Sequence, residues 1–569
     1  MNKIKFPYGI SNFEILSKEN YVFVDKTSFI PRLEEERLVC FLRPRKFGKS
    51  LWLSILEYYY DTNQAHKFEL LFGKYYIGKN PTPLHNTYRI LRFDFSGIDS
   101  STKEKAKRGF SVSIQGSLQE FNLKYTVFDT ATLSEIIQSR DAEKMLYLFF
   151  KNYPKDKPLY LLFDEYDHFT NDILYRSLNE FVESVSKQGY IRKFYEVIKS
   201  ATQQGIVDRL FITGVSPLTL DALTSGFNIL TNLTHNLEFE TMLGFTEEEV
   251  QQLVELTTQD KALQEKALQE MKEWYNGYRF NKKSTQTLYN SDMVLYYLKE
   301  FARTHEAPDR LLDPNIAPDY GKLKQMFQVV NVSKNQEVLE EVLQNGYVDA
   351  ELVTIYNFEK GFTTADFVNF LAYLGNLTIE KSLFGDTVRF RIPNKVIQVL
   401  YWQYYAEVLQ ERAVLRDDLD KVQESIIDMA LYGAYGGFLS LVERLLKGLS
   451  NRDYQRFDEK YVKLVFLAYI SHSSIFDVRS EEEVRGVGYV DLMFLRKRME
   501  DEPHEYVIEL KYLRKEQEGE LEKVKAEGRA QLLNYYRGDE RLWGKRYLHL
   551  LVVVCVKDSL YVEEVDYSA

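Results

Sequence analysis

Leu38-Val39-Cys40-Phe41-Leu42-Arg43-Pro44-Arg45-Lys46-Phe47-Gly48-Lys49-Ser50 is a short apolar run that feeds a turn ending in Gly-Lys-Ser, and a helical pattern follows from Leu51. Strand, loop and helix in that order are the context of a phosphate-binding loop. Backbone N–H groups at the loop and helix start would face the phosphates, and the helix dipole would add a favourable field. Lys49 is then placed to reach the β- and γ-phosphates of a nucleoside triphosphate, and Ser50 to ligate Mg²⁺. Arg45, Phe47, Gly48 and Leu51 complete the candidate nucleotide contacts. One position departs from G-x-x-x-x-G-K-[ST]: Arg43 stands where the first Gly belongs. Arg enters positive φ less cheaply than Gly, so the loop is expected to open differently. Taken alone, the tripeptide reads equally well as a Gly-Lys-Ser on a surface turn.

The surrounding chain has 569 residues, too many for one core, and three or four domains are expected. With 45% hydrophobic and 28% charged residues it reads as soluble and globular. It contains no apolar run long enough for a membrane span, and Met1–Pro7 lacks the apolar core of a signal peptide. The two cysteines, Cys40 and Cys555, each lie inside an apolar run, which excludes a disulfide framework and favours a reducing cytoplasm. No Cys/His cluster has zinc spacing. The net charge of −11 does not advertise a long cationic nucleic-acid surface. The 41 tyrosines are read as packing residues before base-stacking platforms.

Up to about residue 245, apolar strand-like runs (Leu38–Leu42, Tyr88–Phe95, Leu159–Phe163, Leu210–Thr213) alternate with helical patterns such as Leu51–Tyr60 and Ser134–Asn152. That alternation predicts an α/β sheet, mainly parallel. At Thr246-Glu247-Glu248-Glu249 a capping box opens a mostly helical region running to about residue 450, with helices over Asp366–Leu374, Val396–Leu409 and Leu419–Leu431 and one hairpin strand at Thr387–Ile392. After Asn451 the chain returns to mixed α/β, with strands at Tyr489–Leu495, Glu505–Leu510 and Leu548–Val556. Lys511–Lys525 reads as a solvated helix face. The expected division is therefore 1–245, 246–450 and 451–569.

Leu159-Tyr160-Leu161-Leu162-Phe163-Asp164-Glu165 is an apolar strand ending in two acids. Asp164 at its C-terminal edge could hold Mg²⁺, and Glu165 could orient and activate an attacking water. A buried strand meeting solvent would look the same in isolation; a Gly-Lys-Ser loop upstream makes the acids its expected partners. In Arg209–Pro217, Thr213 or Ser216 could sense a γ-phosphate, or simply lead into a turn.

Three stretches now form a pattern: Tyr8-Gly9-Ile10-Ser11-Asn12-Phe13, Tyr21-Val22-Phe23-Val24-Asp25-Lys26-Thr27, and Arg43–Ser50. Together they resemble the bacterial AAA-ATPase-like domain, whose phosphate loop characteristically reads Arg-Pro-Arg-Arg-Phe-Gly-Lys-Ser/Thr and likewise lacks the first Gly. Lys46 replaces the usual second Arg. Phe211–Pro217, Trp274-Tyr275-Asn276-Gly277-Tyr278-Arg279-Phe280 and Leu288-Tyr289-Asn290-Ser291 extend the resemblance to about residue 300, with Asn276 and Ser291 as slight departures. The resemblance implies an ASCE-type P-loop fold with a helical or winged-helix lid. Arg279 is either a phosphate contact or a surface Arg after a Gly turn.

Near the C-terminus, Gly486-Val487-Gly488-Tyr489-Val490-Asp491-Leu492 places an acid at the start of a strand, and Tyr506-Val507-Ile508-Glu509-Leu510-Lys511 follows. Strand alternation puts Glu509 and Lys511 on one face. Asp491 on a paired strand would converge with them. Two carboxylates can bind Mg²⁺, which polarises a phosphodiester and lowers the pKa of a bound water, while Lys511 positions that water or stabilises developing charge. An ordinary antiparallel ribbon with a wet polar face is the other reading. The segment resembles the PD-(D/E)XK nuclease superfamily over about residues 455–556, at an upstream helix carrying Glu459, at Glu483, at Gly488–Leu492, at Glu509-Leu510-Lys511 and at a later helix around Ala526–Tyr536. The resemblance implies a restriction-endonuclease-like α/β domain in which Glu459 joins Asp491 and Glu509 as a metal ligand, and Gln531 contacts the active site or DNA, or simply faces solvent. Members often have Gly-Arg-Ile-Asp, so Tyr489 removes a cation near the phosphate.

The combined expectation is a cytoplasmic ATPase using ATP and Mg²⁺, fused to a Mg²⁺-dependent nuclease-like domain, with ATP gating phosphodiester hydrolysis. Catalytic roles fall to Glu165, Asp491, Glu509 and Lys511, and metal ligation to Ser50, Asp164, Glu459, Asp491 and Glu509. Candidate partners are a DNA or RNA substrate and further copies of the chain, with no membrane. The rival is a nucleotide-dependent switch or binding module whose C-terminal domain is inactive. An arginine finger is open, and no Arg is nominated.

Overall fold

The computed structural model describes residues 4–223, 226–315, 323–358, 361–412, 419–449, 457–497 and 504–567. The chain divides into two compact units, Met1–Val338 with Tyr347–Ile397, and Leu339–Gly346 with Gln398–Ala569. The expected boundary at residues 450 and 451 lies outside the described residues.

In the first unit, β1 (Leu38–Leu42), β2 (Arg89–Asp94), β3 (Leu159–Asp164), β4 (Val207–Gly214) and β5 (Thr231–Asn232) form a sheet in the order β2-β3-β4-β1-β5. All neighbouring pairs are parallel. Both faces are covered, which is why the strands read as near-continuous apolar runs; every residue of β3 is buried. Leu91, Phe93, Phe163 and Ile212 face one core, shared with the helices Lys103–Tyr125, Ala142–Asn152 and Tyr190–Gln203. Val39, Phe41, Leu162 and Phe211 face the other, where Trp52, Leu53 and Leu56 of the helix Lys49–Tyr60 pack. β4 stands between the loop strand and the acid strand, the arrangement expected of an ASCE-type fold. The tips of β1 and β3 are thus two strand spacings apart, roughly 10 Å.

The predicted helix Ser134–Asn152 is two helices, Thr130–Gln138 and Ala142–Asn152. Arg140 takes φ 53° between them, and Asp141 caps the second by accepting the Lys144 amide at 3.2 Å. The capping box at Thr246 and Glu249 forms as expected. Further on, the expected single hairpin strand is part of a three-stranded antiparallel sheet, in which β6 (Tyr347–Glu351), β7 (Thr378–Phe384) and β8 (Thr387–Arg391) run in the order β6-β8-β7 beside the helix Thr364–Tyr373.

The second unit holds β9 (Phe476–Val484), β10 (Gly488–Arg496), β11 (Glu505–Leu513), β12 (Leu548–Val556) and β13 (Ser559–Glu564) in the order β13-β12-β11-β10-β9. Only the β11–β12 pair is parallel, and its crossover carries the helix Leu521–Gly538. Leu532 and Tyr535 of that helix pack on Val507, Val552 and Val554. Lys511–Lys525 is not one helix face: β11 continues to Leu513, and the helix begins at Leu521. Among the described residues, no helix is long and apolar enough to cross a membrane.

Candidate functional site

Arg43 does not enter the left-handed region; Lys46 (φ 68°) and Gly48 (φ 89°) do. Freed from the first-Gly role, the Arg43 guanidinium is buried and donates to the carbonyls of Leu42 and Thr234 at 2.9 and 2.8 Å and of Glu240 at 3.2 Å. It lies between the rings of Phe41 and Phe280, 4.2 and 4.1 Å from their centroids. Burial lowers its pKa to about 9. Phe47 in turn meets Tyr278 and Phe280 edge-on, at 5.0 and 5.6 Å. The Tyr278-Arg279-Phe280 segment therefore holds the loop from behind. Arg279 itself turns to the Glu380 carbonyl, so the phosphate-contact alternative for it is not met. From the side, Asn290 Nδ2 donates to the Arg45 carbonyl and Ser291 Oγ to the Lys46 carbonyl, each at 3.2 Å.

The loop opens onto a cavity of about 450 Å³. Arg45, Phe47, Gly48, Lys49, Ser50 and Leu51 all line it, with Glu165 and His168 at the same end. Phe23, Val24, Met242, Phe245 and Leu295 make an apolar wall. Lys26, also in the lining, donates to the Thr241 carbonyl at 2.9 Å and pairs with Glu249. Lys49 is buried; its ammonium donates to the carbonyls of Arg43 and Pro44 at 3.1 and 3.0 Å and lies 3.8 Å from Glu165 Oε1. Asp164 is not among the residues that line the cavity; it is buried and accepts from Arg92 at 3.1 Å. Burial raises its pKa, with the Glu165 charge adding to that; Arg92 opposes both, and the Ser50 hydroxyl beside it also lowers the value. Asp164 Oδ1 and Glu165 Oε2 are buried and have no hydrogen-bond partner. Two orphaned acid oxygens next to a serine hydroxyl fit a hard divalent cation. Glu165 takes φ 47°, a strained backbone for a non-glycine residue.

Thr213 and Ser216 do not face this cavity. Thr213 Oγ1 donates to the Phe41 carbonyl at 2.9 Å, and Ser216 Oγ to Asn171 Oδ1 at 3.0 Å. They tie the tip of β4 to its neighbours.

In the second unit, the β10–β11 ladder pairs Leu492 with Ile508 and stops there. Beyond it Asp491 Oδ2 accepts the Leu510 amide at 2.9 Å. Glu509 and Lys511 share a face as predicted, with Lys511 Nζ 2.6 Å from Glu509 Oε1. Glu459, in the first turn of the helix Glu459–Ile470, reaches to 3.8 Å from Lys511. Glu459, Asp491, Glu509 and Lys511 thus converge. Burial, then the neighbouring Asp491, pushes the Glu509 carboxyl up to about 7. Burial also raises Glu459. For Lys511 burial acts downward, but the bond to Glu509 and the surrounding carboxylates outweigh it and raise its pKa. Glu509 Oε2 is buried without a partner, again a fit for a cation, although among the described residues no three His, Cys, Asp or Glu side chains close into a ready cage. Tyr489 is 57% exposed and pairs across the ladder with Glu483, also exposed. Gln531 is half-buried, and its Oε1 is buried without a partner.

Sequence reasoning missed Arg92, His168 and Lys463. Lys463 stands four residues after Glu459, one helical turn on, and lies 3.9 Å from Asp491; that spacing was the available signal. Arg92 carries none, because its role depends on β2 lying beside β3.

Fold and geometry together define a P-loop α/β unit followed by a mixed-sheet unit with converging acids. Residues 7–224 match the family described as a predicted AAA-ATPase, and residues 457–565 match the PD-(D/E)XK nuclease superfamily. The chain joins an AAA-ATPase-like domain to a PD-(D/E)XK nuclease-superfamily domain. It is 27% identical over 311 residues to a protein of Azotobacter chroococcum mcd 1 described as an uncharacterized protein in the vnfD 5′ region. The match covers 54% of this chain and 54% of that relative, so the chain spans about half the length of the curated relative it matches. Among solved structures, the Walker-type ATPase of Pyrococcus abyssi is similar at 12% identity with a TM-score of 0.39, covering 70% of this chain and 99% of that one.

Proposed function

We propose that the chain binds and hydrolyses ATP at the loop of the first unit and cleaves phosphodiester bonds at the acids of the second. One observation carries the reading. In each unit an acid meets a lysine, Glu165 by Lys49 and Glu509 by Lys511, and acid oxygens stay buried and unpaired: Asp164 Oδ1, Glu165 Oε2 and Glu509 Oε2.

Lys49 has two loop carbonyls in reach where a triphosphate would offer stronger acceptors. The loop and Leu51 cradle the phosphates, Arg45 adds positive charge, and Phe47 keeps the loop in shape. Ser50 and Asp164 would hold Mg²⁺ with the nucleotide, and Glu165 would take the proton of the attacking water. In the second unit Asp491, Glu509 and Glu459 would hold the cation. A cation there supplies Lewis acidity toward the scissile phosphate and a more acidic water. Lys511 places a positive charge where the pentacovalent phosphate gathers negative charge.

ATP turnover in the 1–245 part, with 246–450 as its lid, gates access to the nuclease part at 451–569. The reading includes a cytoplasmic protein acting on DNA or RNA, with homo-oligomers open to it. Plasmid and RNA cleavage with Mg²⁺, compared between the natural chain and Glu509→Ala, tests the second site; cleavage that survives the substitution removes it. A fluorescent ATP analogue bound equally by Lys49→Ala removes the first. The exposed Tyr489, which stands where the superfamily pattern it resembles has Arg, favours a second reading: a nucleotide-dependent switch whose C-terminal domain is catalytically inactive.

A further inference from the structure

Beside the nucleotide cavity lies a small chamber of about 20 Å³, lined among others by Arg45, Glu165, His168, Asp172, Met326 and Asn376. Three polar atoms of its lining residues are buried with no hydrogen-bond partner: Glu165 Oε2, His168 Nδ1 and Asn376 Oδ1. Asn376 is fully buried, and its amide nitrogen is engaged by Met326 Sδ at 3.5 Å. His168 Nδ1 is 4.0 Å from the Asp172 carboxylate. Isolated polar atoms are unfavourable in a protein interior. Three around one chamber large enough for a single water, and polar enough to bind it, point to a water site.

We propose that this chamber seats the water that attacks the γ-phosphate, positioned by His168 and Asn376 as well as by Glu165. The inference rests on the ATP-hydrolysis reading and adds two residues to it. Hydrogen-bond capacity fixes the roles. Glu165 Oε2 and Asn376 Oδ1 are acceptors and take the two water hydrogens. His168 must then donate from Nδ1 to one lone pair, which leaves the other aimed at phosphorus. In the step, the water oxygen bonds to the γ-phosphorus and the bond to the β,γ-bridging oxygen breaks. ADP leaves with that electron pair, and the water proton passes to Glu165. Glu165 lines both the chamber and the nucleotide cavity, with Oε1 3.8 Å from the Lys49 ammonium. Asn376 lies far beyond residues 7–224, so the site is completed by a residue outside the matched ATPase segment.

The test uses the full chain and measures steady-state ATP hydrolysis and the Kd of a fluorescent ATP analogue for His168→Ala, His168→Gln and Asn376→Ala. Both alanine variants should lose about 100-fold in kcat, with Kd held within about twofold. His168→Gln keeps an N–H donor and should recover about tenfold over His168→Ala. Turnover near the natural rate in the alanine variants, or loss of turnover only in step with loss of binding, overturns the proposal, as does a glutamine no better than alanine. If Asn376→Ala does not fold, the two His168 variants decide. A natural chain that binds the analogue without hydrolysing ATP sinks the hydrolysis reading itself, and one that does not bind sinks the loop assignment.

Discussion

Asp491 is bonded through Oδ2 to the amide of Leu510, 2.9 Å away on the neighbouring strand, at the point where the β10–β11 ladder ends. One carboxylate oxygen thus replaces the backbone partner that the parting strands no longer supply, and it fixes the acid beside Glu509.

Asp491 should therefore matter for folding as well as for chemistry. Asp491→Ala leaves the buried Leu510 amide unpaired, at a cost of about 1–3 kcal/mol. Asp491→Asn keeps an acceptor and should restore most of that stability, yet remain without cleavage because a neutral amide is a poor ligand for a hard cation. Urea unfolding set beside a Mg²⁺-dependent cleavage assay separates the two effects. Equal stability of the alanine and asparagine variants would contradict the tie to Leu510.

Glu509 gives a pH signature. Its carboxyl is raised from the ordinary 4.5 to about 7, chiefly by burial and then by Asp491. The folded state therefore holds a proton that the unfolded state releases, and without metal this group's contribution to stability falls as pH rises from about 4.5 to 7. The full effect is on the order of 3 kcal/mol. Glu509→Gln should flatten that slope and be the more stable form at pH 8. Mg²⁺ binding near pH 6.5 should release protons in the natural chain and not in the variant. Calorimetry in buffers of different ionisation enthalpy reads this directly; no difference in proton release between them would count against a protonated Glu509.

Arg43 bears on how the phosphate loop is built. Replacing it with the Gly of the general motif removes a buried cation that satisfies three carbonyls and stacks between Phe41 and Phe280. Arg43→Gly should destabilise the first unit by roughly 3 kcal/mol or more without tightening nucleotide binding. Arg43→Lys should not rescue it, since an ammonium lacks the planar fork and stacks less well. Denaturation midpoints of the three forms check this.

Local pattern was legible in the sequence where one element carried the whole signal. The apolar run and turn placed β1 and the loop at Leu38–Ser50, and period-two alternation put Glu509 and Lys511 on one face, where they stand 2.6 Å apart. What escaped depends on which strangers in sequence become neighbours. Arg92 meets Asp164 only because β2 lies beside β3, and Asn376 reaches the acid strand from more than 200 residues downstream. β5 is two residues long, too short for any periodicity to show. The break at Arg140 escaped because the segments on either side of it both carry helical patterns; Asp141 as a cap was the overlooked clue.

Asn290 joins two functions that a single substitution can separate. It is fully buried; its Oδ1 caps the helix Ser291–Thr304 by accepting the Met293 amide at 3.4 Å, and its Nδ2 donates to the Arg45 carbonyl of the phosphate loop at 3.2 Å. Asn290→Asp preserves the cap acceptor and removes the donor, and it sets a carboxylate against a carbonyl oxygen. Asn290→Ala removes both. The alanine variant should lose about 1–2 kcal/mol of stability from the missing cap, and both variants should bind ATP less tightly, because the loop carbonyl at Arg45 is no longer held. In Asn290→Asp the loss of affinity should equal or exceed that of the alanine variant, while its stability stays closer to the natural chain. Thermal unfolding and analogue titration on the same samples give both numbers. A common ranking of the variants in stability and in affinity would mean that the loop feels only the fold, and that the bond from Asn290 to Arg45 has no separate part in holding the phosphate site.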